Sequence, residues 1–316
     1  TSTSVTEKYQ DKRNDIINVK DKVIEFETGN VLIGSVSRLY MSNKCLLIAD
    51  HKSVDKQIHI FNKNDFSYLT SIGNFGEGPE EITVMGCLAI DEAHHQLYVS
   101  DHAKQKIFSY EMDSVMVDSL YKPQVKTAMN ETLFPSEYQY INDTLSIAVL
   151  IKPTSTSTFN QFLGRWNMNT GEMIPMKYTH PDIQKKRITF AASEKAGIYV
   201  ECYTRHDLMT ICSLDGELLY NIYGPDWDGG NGNKLQSFGT VMIGNDKIFV
   251  SYCGEDYARD SFPTKILVFD LEGNYLKTLE TGYKISDCCY DSFNNRIILS
   301  LNDVVQFAYL DIDGII

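Results

Sequence analysis

The stretch from Lys265 to Leu279 (KILVFDLEGNYLKTL) contains an alternating apolar strand, a polar turn with Gly273, and a second strand. Related units recur along the chain, and each has its first strand ending in a large apolar or thiol side chain. The residues at this anchor position are Phe61, Tyr110, Trp166, Cys212, Phe269 and Tyr309. They recur at intervals of roughly 40 to 57 residues, which is the spacing of four-stranded propeller blades.

A further predicted strand lies upstream of each anchor. Hairpins that matched the pattern by chance would not all be preceded by such a strand, so the match supports a true repeat. These strands begin at Cys45, Gln96, Leu145, Gly197, Lys247 and Arg296. Each is alternating or continuously apolar, as expected for a strand covered on both faces by neighbouring blades. The pattern predicts an all-β protein, a six-bladed β-propeller with four-stranded antiparallel blades.

The last copy ends at Ile316, directly after its turn, so its outermost strand must come from elsewhere in the chain. The apolar stretch from Ile16 to Phe26 (IINVKDKVIEF) can supply it and leave no exposed edge. We therefore expect a ring closed by an N-terminal strand that joins the last blade. The domain boundaries expected are a polar, solvated N-terminal tail over residues 1–15 and a single propeller domain over residues 16–316.

Composition restricts the possible partners. The net charge of -13, with no clustered basic face, argues against nucleic acid and against an anionic membrane surface. No run of 18 apolar residues occurs, so we expect no transmembrane segment. The 7 cysteines have no metal-finger spacing and are expected to be mostly buried thiols, although Cys202 and Cys212 could approach each other across a hairpin.

Three segments resemble known propeller proteins. The stretches 46–61 (LLIADHKSVDKQIHIF) and 96–110 (QLYVSDHAKQKIFSY) resemble the NHL-type repeat, in which a strand ending in Asp precedes a short loop. The stretch 71–82 (SIGNFGEGPEEI) resembles a glycine-rich segment of six-bladed, TolB-like propeller proteins of Bacteroidetes. This resemblance implies an exported protein of unknown function in the periplasm or at the cell surface, with a lipoprotein anchor upstream of residue 1 as one form of attachment.

Charged, aromatic and glycine-rich residues concentrate in the loops between second and third strands and in the links between blades. In such blades both kinds of loop emerge on the same face, where binding residues are expected. The candidate ligand-binding residues are Asp50, His51, Asp101, His102, Arg205, His206, Asp226, Trp227, Asp228, Tyr257 and Arg259.

These residues allow more than one interpretation. Asp50 and Asp101 either cap their own turns or join the neighbouring histidines at a metal, although adjacent side chains diverge. Trp227, between two carboxylates on a glycine-rich loop, either stacks on a sugar ring or fills the gap between two blades. The turn interpretation and the gap-filling interpretation are the favoured ones.

The function expected is a non-catalytic binding or interaction scaffold for a protein or a carbohydrate ligand, and the chain is expected to be monomeric. We expect no cofactor, no metal ion and no catalytic residues. The alternative is a lyase or hydrolase with its centre at the axial mouth of the loop-rich face. The sequence contains no Gly-x-Ser-x-Gly motif, the nucleophile elbow that would indicate a serine hydrolase.

Overall fold

A computed structural model describes residues 5–232 and 234–316. The fold is the predicted six-bladed β-propeller, built almost entirely from strands. The chain forms two compact units, which are described separately below. Unit A contains residues 5–26 and 177–316, and unit B contains residues 27–176.

Three short strands precede the first blade and belong to unit A. They are β1 (Glu7–Tyr9), β2 (Ile16–Asn18) and β3 (Ile24–Glu25), with a 3-10 turn over Lys20–Lys22 between the last two. We call residues 7–25 the N-terminal strap, because its three strands join three successive sheets.

Unit B contains blades 1 to 3, each a four-stranded sheet with sequential antiparallel neighbours. Blade 1 consists of β4 (Ser37–Met41), β5 (Cys45–Asp50), β6 (Lys56–Asn62) and β7 (Tyr68–Asn74). Blade 2 consists of β8 (Met85–Asp91), β9 (Gln96–Asp101), β10 (Lys106–Glu111), the short helix α1 (Met112–Val115) and β11 (Gln124–Ala128). Blade 3 consists of β12 (Phe134–Asn142), β13 (Leu145–Pro153), β14 (Phe159–Trp166) and β15 (Met173–Pro175).

Unit A contains blades 4 to 6. Blade 4 consists of β16 (Ile188–Ser193), β17 (Ile198–Tyr203), β18 (Leu208–Ser213) and β19 (Leu218–Tyr223). Blade 5 consists of β20 (Leu235–Ile243), β21 (Lys247–Asp256), a 3-10 turn over Tyr257–Arg259, β22 (Lys265–Asp270) and β23 (Tyr275–Glu280). Blade 6 consists of β24 (Ile285–Asp291), β25 (Arg296–Leu301) and β26 (Phe307–Asp311), with β3 as its fourth strand.

The second strand of each blade lies in the core, as its continuous apolar sequence predicts. Every residue of β5, β17 and β25 is buried. The anchor side chains of the third strands, among them Phe61, Trp166 and Phe269, are at most 2% exposed. Burial of each such large apolar side chain stabilises the fold by about 1.5–3 kcal/mol. The anchor residues that repeat in the sequence are therefore residues that form the core.

The strap closes the last blade as predicted, but over a shorter segment. Strand β3 pairs antiparallel with β26, so only Ile24–Glu25 supply the closing strand. Ile16–Asn18 pair instead in parallel with β23 and add a fifth strand to blade 5. The 3-10 turn between them redirects the chain from one sheet to the next.

The polar segment before Ile16 is not wholly solvated. Strand β1 pairs in parallel with β19 and adds a fifth strand to blade 4. The Arg13 side chain is only 5% exposed, because it forms an ion pair with Asp207. Residues 1–4 of the expected tail lie outside the described residues.

All seven cysteines are free thiols, and all but Cys289 are buried. Cys202 lies opposite Met209 in the sheet, whereas Cys212 lies opposite Tyr199. The two thiols are therefore out of register for a disulfide bond. Within the described part of the chain, no helix has the length and apolar character needed to cross a membrane.

Candidate functional site

Asp50 and Asp101 stabilise the segments that lead into their blades. The two carboxylate oxygens of Asp101 accept hydrogen bonds from the backbone N–H groups of Thr83 and Val84, at 2.8 and 3.1 Å. Asp50 accepts from the N–H of Gly34 at 2.9 Å. Each also accepts from an N–H of its own turn. Both carboxylates are buried, and their geometry matches the turn interpretation.

A related contact occurs in blade 6, from an aspartate that lies beyond the end of the second strand and not at it. Asp303 follows β25 and accepts from the backbone N–H of Lys284, which leads into β24, at 3.1 Å. The signal that could have revealed it is an acidic residue placed just after a second strand. The position equivalent to Asp101 is Leu301, which pairs with Ile285 as Asp101 pairs with Met85, so the Asp303 contact is a separate one made from the turn beyond the strand.

His51 and His102 both lie against Gly86 on β8. The Nε2 atom of His51 is 3.2 Å from the carbonyl oxygen of Gly86. A Cβ atom at position 86 would lie 2.3 Å from Nε2 of His102, so only glycine leaves room for this ring. Burial lowers the pKa of both histidines, which favours neutral rings near pH 7.

In unit A, Trp227 lies among three other rings. Its ring centroid is 4.9 Å from that of Tyr223, 5.7 Å from His180 and 6.0 Å from His206. We call these four residues the Trp227 cluster. His180 also forms a 2.7 Å hydrogen bond to the Tyr223 hydroxyl. These rings belong to blade 4 and to the segment that leads into it, and they leave the indole half-buried, so the filling of a gap between two blades stays a prediction.

His206 is the most enclosed predicted site residue of this unit. It is 7% exposed, and its Nδ1 atom has no hydrogen-bond partner among the residues that the structure describes. Burial lowers its pKa, with the Asp228 carboxylate acting in the opposite direction. Asp228 accepts from the N–H of Gly232 at 2.7 Å, and a Cβ atom on Gly232 would lie 2.0 Å from the His206 ring. The glycine-rich loop is therefore folded directly over the imidazole.

Asp226 is attached to the scaffold from two sides. Its carboxylate accepts from the Tyr252 hydroxyl at 2.6 Å, and its backbone N–H donates to Asp207 at 3.0 Å. Asp207 also forms the 2.6 Å ion pair with Arg13 of the strap. Arg13 and Asp207 were not recognised as site residues from sequence, because a polar N-terminal segment gives no sign of its distant partner.

Arg205 and Tyr257 form an exposed stacked pair. The Cζ atom of Arg205 lies 3.3 Å from the centroid of the Tyr257 ring, and Tyr257 remains 48% exposed. Nearby along the chain, Phe262 is 39% exposed. Arg259 forms a 3.4 Å ion pair with Glu255, and both side chains are largely exposed. We call Arg205, Tyr257, Arg259 and Phe262 the Arg205–Tyr257 surface.

The predicted site residues thus fall into two sets. In unit B, His51 and His102 meet at Gly86, while Asp50 and Asp101 are used by their turns. In unit A, a second set joins through ring contacts and loop hydrogen bonds. It comprises Arg205, His206, Asp226, Trp227, Asp228 and Tyr257, whereas the remaining predicted residue, Arg259, is paired with Glu255 on the surface.

Within the described residues, one group of three side chains could hold a metal ion. It consists of Asp91, His94 and Asp143 in unit B. Nδ1 of His94 is 2.8 Å from Asp91 and 3.8 Å from Asp143. In blade 6, Asn294 makes the corresponding 2.7 Å contact to Asp291 in the same kind of turn. Turn stabilisation therefore accounts for the closer of the two His94 contacts.

A protein-family comparison assigns the chain to a family. The model of DUF5128, described as a 6-bladed β-propeller, matches residues 3–161, which is half of the chain. The chain belongs to the DUF5128 family. A comparison of this DUF5128 protein with curated proteins finds no match.

Solved structures share the fold of the DUF5128 chain. A protein of Bacteroides fragilis whose name suggests export aligns with a TM-score of 0.60 and 14% identity, covering 93% of this chain and 87% of its own. A member of the DUF4221 family from Bacteroides vulgatus aligns with a TM-score of 0.59 and 12% identity, covering 94% and 98%. The β-propeller domain of Cps50 (Swd1) from Myceliophteria thermophila aligns with a TM-score of 0.55 and 9% identity, covering 91% and 98%. At these identities the likeness shows the fold alone.

Proposed function

We propose that this DUF5128 protein is a non-catalytic interaction scaffold that binds a protein partner through the Arg205–Tyr257 surface. The observation that carries the proposal is the stacked pair itself. A guanidinium lies 3.3 Å from the centre of a tyrosine ring that remains 48% exposed.

The chemistry of this surface supports a protein ligand. Tyrosine, tryptophan and arginine are the residues most enriched among the energetically dominant positions of protein interfaces. The stacking fixes the position of both Arg205 and Tyr257 before any partner arrives, which lowers the entropy cost of binding. Close to Tyr257 along the chain, Arg259 adds a second exposed guanidinium and Phe262 adds an exposed apolar ring.

The carboxylates of unit A have partners that argue for a scaffold rather than for hydrolysis. Asp226 accepts from the Tyr252 hydroxyl, and Asp228 accepts from the N–H of Gly232. Each thereby stabilises its own loop. A glycosidase needs two carboxyl groups facing a shared substrate space, one of them available as a proton donor.

A carbohydrate ligand is the second candidate, and Trp227 is the residue that favours it. Part of its indole remains exposed between Asp226 and Asp228. Trp227→Ala tests this candidate by retention on a glycan array. Glycan retention by the unaltered protein that is lost in the variant would support carbohydrate binding, and an absence of retention by both proteins would eliminate it.

We further propose that the protein acts after export, in the periplasm or at the cell surface, as a TolB-like and NHL-like propeller of the Bacteroidetes type. The support is the resemblance of residues 46–61, 71–82 and 96–110 to such proteins, together with the fold shared with the Bacteroides fragilis protein. Fractionation of producing cells, followed by protease treatment of intact cells, tests the compartment. Recovery only with cytoplasmic markers would overturn this assignment.

Site-specific photo-crosslinking tests the protein-binding proposal. A benzoylphenylalanine is placed at position 257 and, as a control, at Phe293, which is 78% exposed in blade 6. We expect a discrete crosslinked species from position 257 that is absent from position 293 and is lost when Arg259 and Phe262 are changed to alanine. Identical crosslinking patterns at both positions would contradict the proposal.

A further inference from the structure

Two strands of the strap extend blades of unit A at their outer edges. β1 pairs in parallel with β19, and β2 pairs in parallel with β23. Backbone hydrogen bonds hold the added strands, among them a 2.7 Å bond from the N–H of Asn221 to Thr6 and a 2.8 Å bond from the N–H of Thr278 to Asp15. These two edges show what kind of outer strand accepts a further strand.

The two edges share one register. Asn221 lies opposite Thr210, two residues before the anchor of blade 4, and Thr278 lies opposite Leu267, two residues before the anchor of blade 5. In both blades the bulge falls between the anchor and the residue before it. The positions that accept the strap therefore lie on an unbroken part of the ladder.

In unit B, strand β7 of blade 1 has the same register and no added strand. Ser71 lies opposite His59, two residues before the anchor Phe61, and the bulge again falls between the anchor and Ile60. β7 is the last strand of its sheet in the described part of the chain. By the alternation of an antiparallel ladder, the N–H of Ser71 points towards this open edge, as the equivalent N–H groups do in blades 4 and 5.

The open edge also has the matching backbone acceptor. On β23, the carbonyl oxygen of Glu280 accepts from the N–H of Val19 at 2.9 Å. Gly73 occupies the equivalent position of β7, two residues after Ser71. Its carbonyl oxygen is 3.5 Å from Nε2 of Gln57, which makes a shorter contact of 3.0 Å to another carbonyl. Because a carbonyl oxygen has two lone pairs, that of Gly73 can accept a further hydrogen bond.

The other outer strands without an added strand, within residues 5–232 and 234–316, lack this combination. In β15 the residue opposite Gly164, two residues before the anchor Trp166, is Pro175, which has no N–H to donate. In β11 the bulge falls between the residues opposite Phe108 and Ile107, so it interrupts the ladder where a strap strand would pair. β3 contains only two residues. β7 is therefore the outer strand that can accept a strand as β19 and β23 do.

Two cavities lie along the open edge of β7. Their volumes are about 500 and about 380 Å³. Both are lined by Thr70 and Ser71 of the strand, and by Lys56 and Ser119. Ser119 belongs to the segment between α1 and β11, so this segment forms another wall of the same space. A groove thus follows the part of β7 that corresponds to the strap-binding positions.

The two cavities differ in chemistry, which indicates the side chains that a bound strand would present. His59, opposite Ser71, lines the larger cavity together with Asp55. The smaller cavity has an apolar wall that consists of Ile72, Tyr110, Val115, Leu120 and Tyr121. Side chains of a strand alternate between its two faces. A residue aligned with Ile72 would therefore enter the apolar cavity, and its two neighbours would face the polar one.

The rim of the groove is apolar and exposed. Leu32 and Tyr68 line the larger cavity and are 93% and 47% exposed. Leu120 lines the smaller cavity and is 82% exposed. Exposed apolar side chains that lie together mark protein-binding surfaces. This rim favours a peptide chain over a free ion or a sugar as the occupant.

We propose that the outer edge of β7 binds an extended peptide segment of another protein, which adds as a parallel strand in the register of the strap. The peptide residue aligned with Ile72 is aliphatic, and its two neighbours are polar. Backbone hydrogen bonds supply the affinity in this mode of recognition, and the cavities supply the preference for side chains. This surface is independent of the Arg205–Tyr257 surface.

The first experiment removes the backbone donor of the edge. The probe is a fluorescein-labelled peptide that copies residues 14–20 of the strap with Ile16→Thr, so that Ile17 aligns with Ile72, and its binding to the full chain is measured by fluorescence polarisation. Ser71→Pro, which reproduces the proline of β15, should weaken saturable binding at least ten-fold, because it removes the N–H and places a ring at the edge. Proline is tolerated where the N–H faces away from the sheet. Ser71→Ala is the matched control, since it retains the N–H, and should bind within two-fold of the unaltered protein.

A second variant blocks the groove without changing β7. Ser119→Trp fills the space that both cavities share and should also weaken binding at least ten-fold, whereas Thr156→Trp, at an exposed position between β13 and β14, should not. Thermal unfolding checks that each variant is folded. The proposal would be overturned by a folded Ser71→Pro or Ser119→Trp variant that binds within two-fold of the unaltered protein, and equally by an absence of saturable binding to the unaltered protein.

The second experiment tests the orientation of the bound strand. In the strap, the N–H of Val19 donates to β23, and by alternation that of Asn18 points away from it. A peptide with N-methylated Val19 should therefore bind at least ten-fold more weakly, and one with N-methylated Asn18 should bind within three-fold of the parent peptide. The reverse pattern would indicate antiparallel pairing, and equal effects would indicate binding without a ladder. Either result would refute the proposed parallel strand.

Discussion

The guanidinium of Arg13 lies 2.6 Å from the carboxylate of Asp207, a residue 194 positions away along the chain. Both side chains are almost completely buried, at 5% and 0% exposure. The Arg13 guanidinium also lies 5.3 Å from the centre of the Phe269 ring. Through Asp207, the pair connects the strap to Asp226, which lies in the loop between β19 and β20.

Replacing Arg13 with methionine should lower the free energy of unfolding by about 3–5 kcal/mol, because Asp207 would remain buried without its counter-charge. Urea denaturation measures this loss. The double variant Arg13→Met/Asp207→Asn should recover part of it, since no unpaired charge remains. An effect of Arg13→Met below 1 kcal/mol would show that the buried pair contributes little.

Gly86→Ala should destabilise unit B by about 1–3 kcal/mol, because the added methyl group would overlap the His102 ring. His102→Ala in the same chain should relieve most of that overlap, so the double variant should lose less stability than the sum of the single variants. Thermal unfolding of the four proteins measures the coupling. Additive losses would indicate that the clash is absorbed elsewhere.

Trp227→Ala should lower the free energy of unfolding by about 2–4 kcal/mol, because the indole contacts the rings of Tyr223, His180 and His206. Tyr257→Ala is the matched control, since its ring is 48% exposed and its removal should cost under about 1 kcal/mol. Chemical denaturation of both variants measures the difference. Equal stability of the Trp227→Ala variant and the unaltered protein would identify the indole as a presented ligand contact instead.

Stability should fall as the pH falls below about 6.5, the usual pKa of an unfolded histidine. Burial lowers the pKa of His206 in the folded state, so the unfolded chain takes up its proton first and is favoured in that window. His206→Gln removes this term and should reduce the dependence on pH between 7.5 and 5.5, measured by urea denaturation at each pH. The same slope in both proteins would show that His206 is not among the groups responsible.

The fold was largely predictable from the sequence, because its signal is local and repeated. The anchors Phe61, Trp166 and Phe269 mark third strands, and the continuous apolar runs beginning at Cys45 and Arg296 mark second strands. These patterns are contained in a few consecutive residues and repeat from blade to blade. They therefore identify the strands without knowledge of distant contacts.

The strap pairings were not predictable in the same way. Strands β1 and β2 contain three residues each, too few for an alternating pattern to appear. Their partners lie far away along the chain, since Glu7 pairs with Asn221 of β19 and Ile16 with Thr278 of β23. Parallel pairing at such separation has no turn that would mark it in the sequence.

The sequence indicated which polar and aromatic loop residues to consider as a candidate site, but not which contacts those residues make. The position of Asp101 at a strand end indicated a turn, and the structure places its hydrogen bonds there. The enclosure of His206 by Gly232 and the stacking of Arg205 on Tyr257 depend on how separate loops fold over one another. No sequence spacing encodes those distances.

The strap imposes an order on folding. Lys8 donates to the backbone of Glu272, 264 positions away, and β3 pairs with β26 of the last blade. The three strands of the strap can therefore pair only after the distant strands β19, β23 and β26 have been synthesised. Contacts of such high sequence separation form slowly. While the strap is unpaired, the edges of β19 and β23 remain open to strands from other molecules, so a chain with blades 4 and 5 formed and the strap not yet docked is vulnerable to intermolecular pairing.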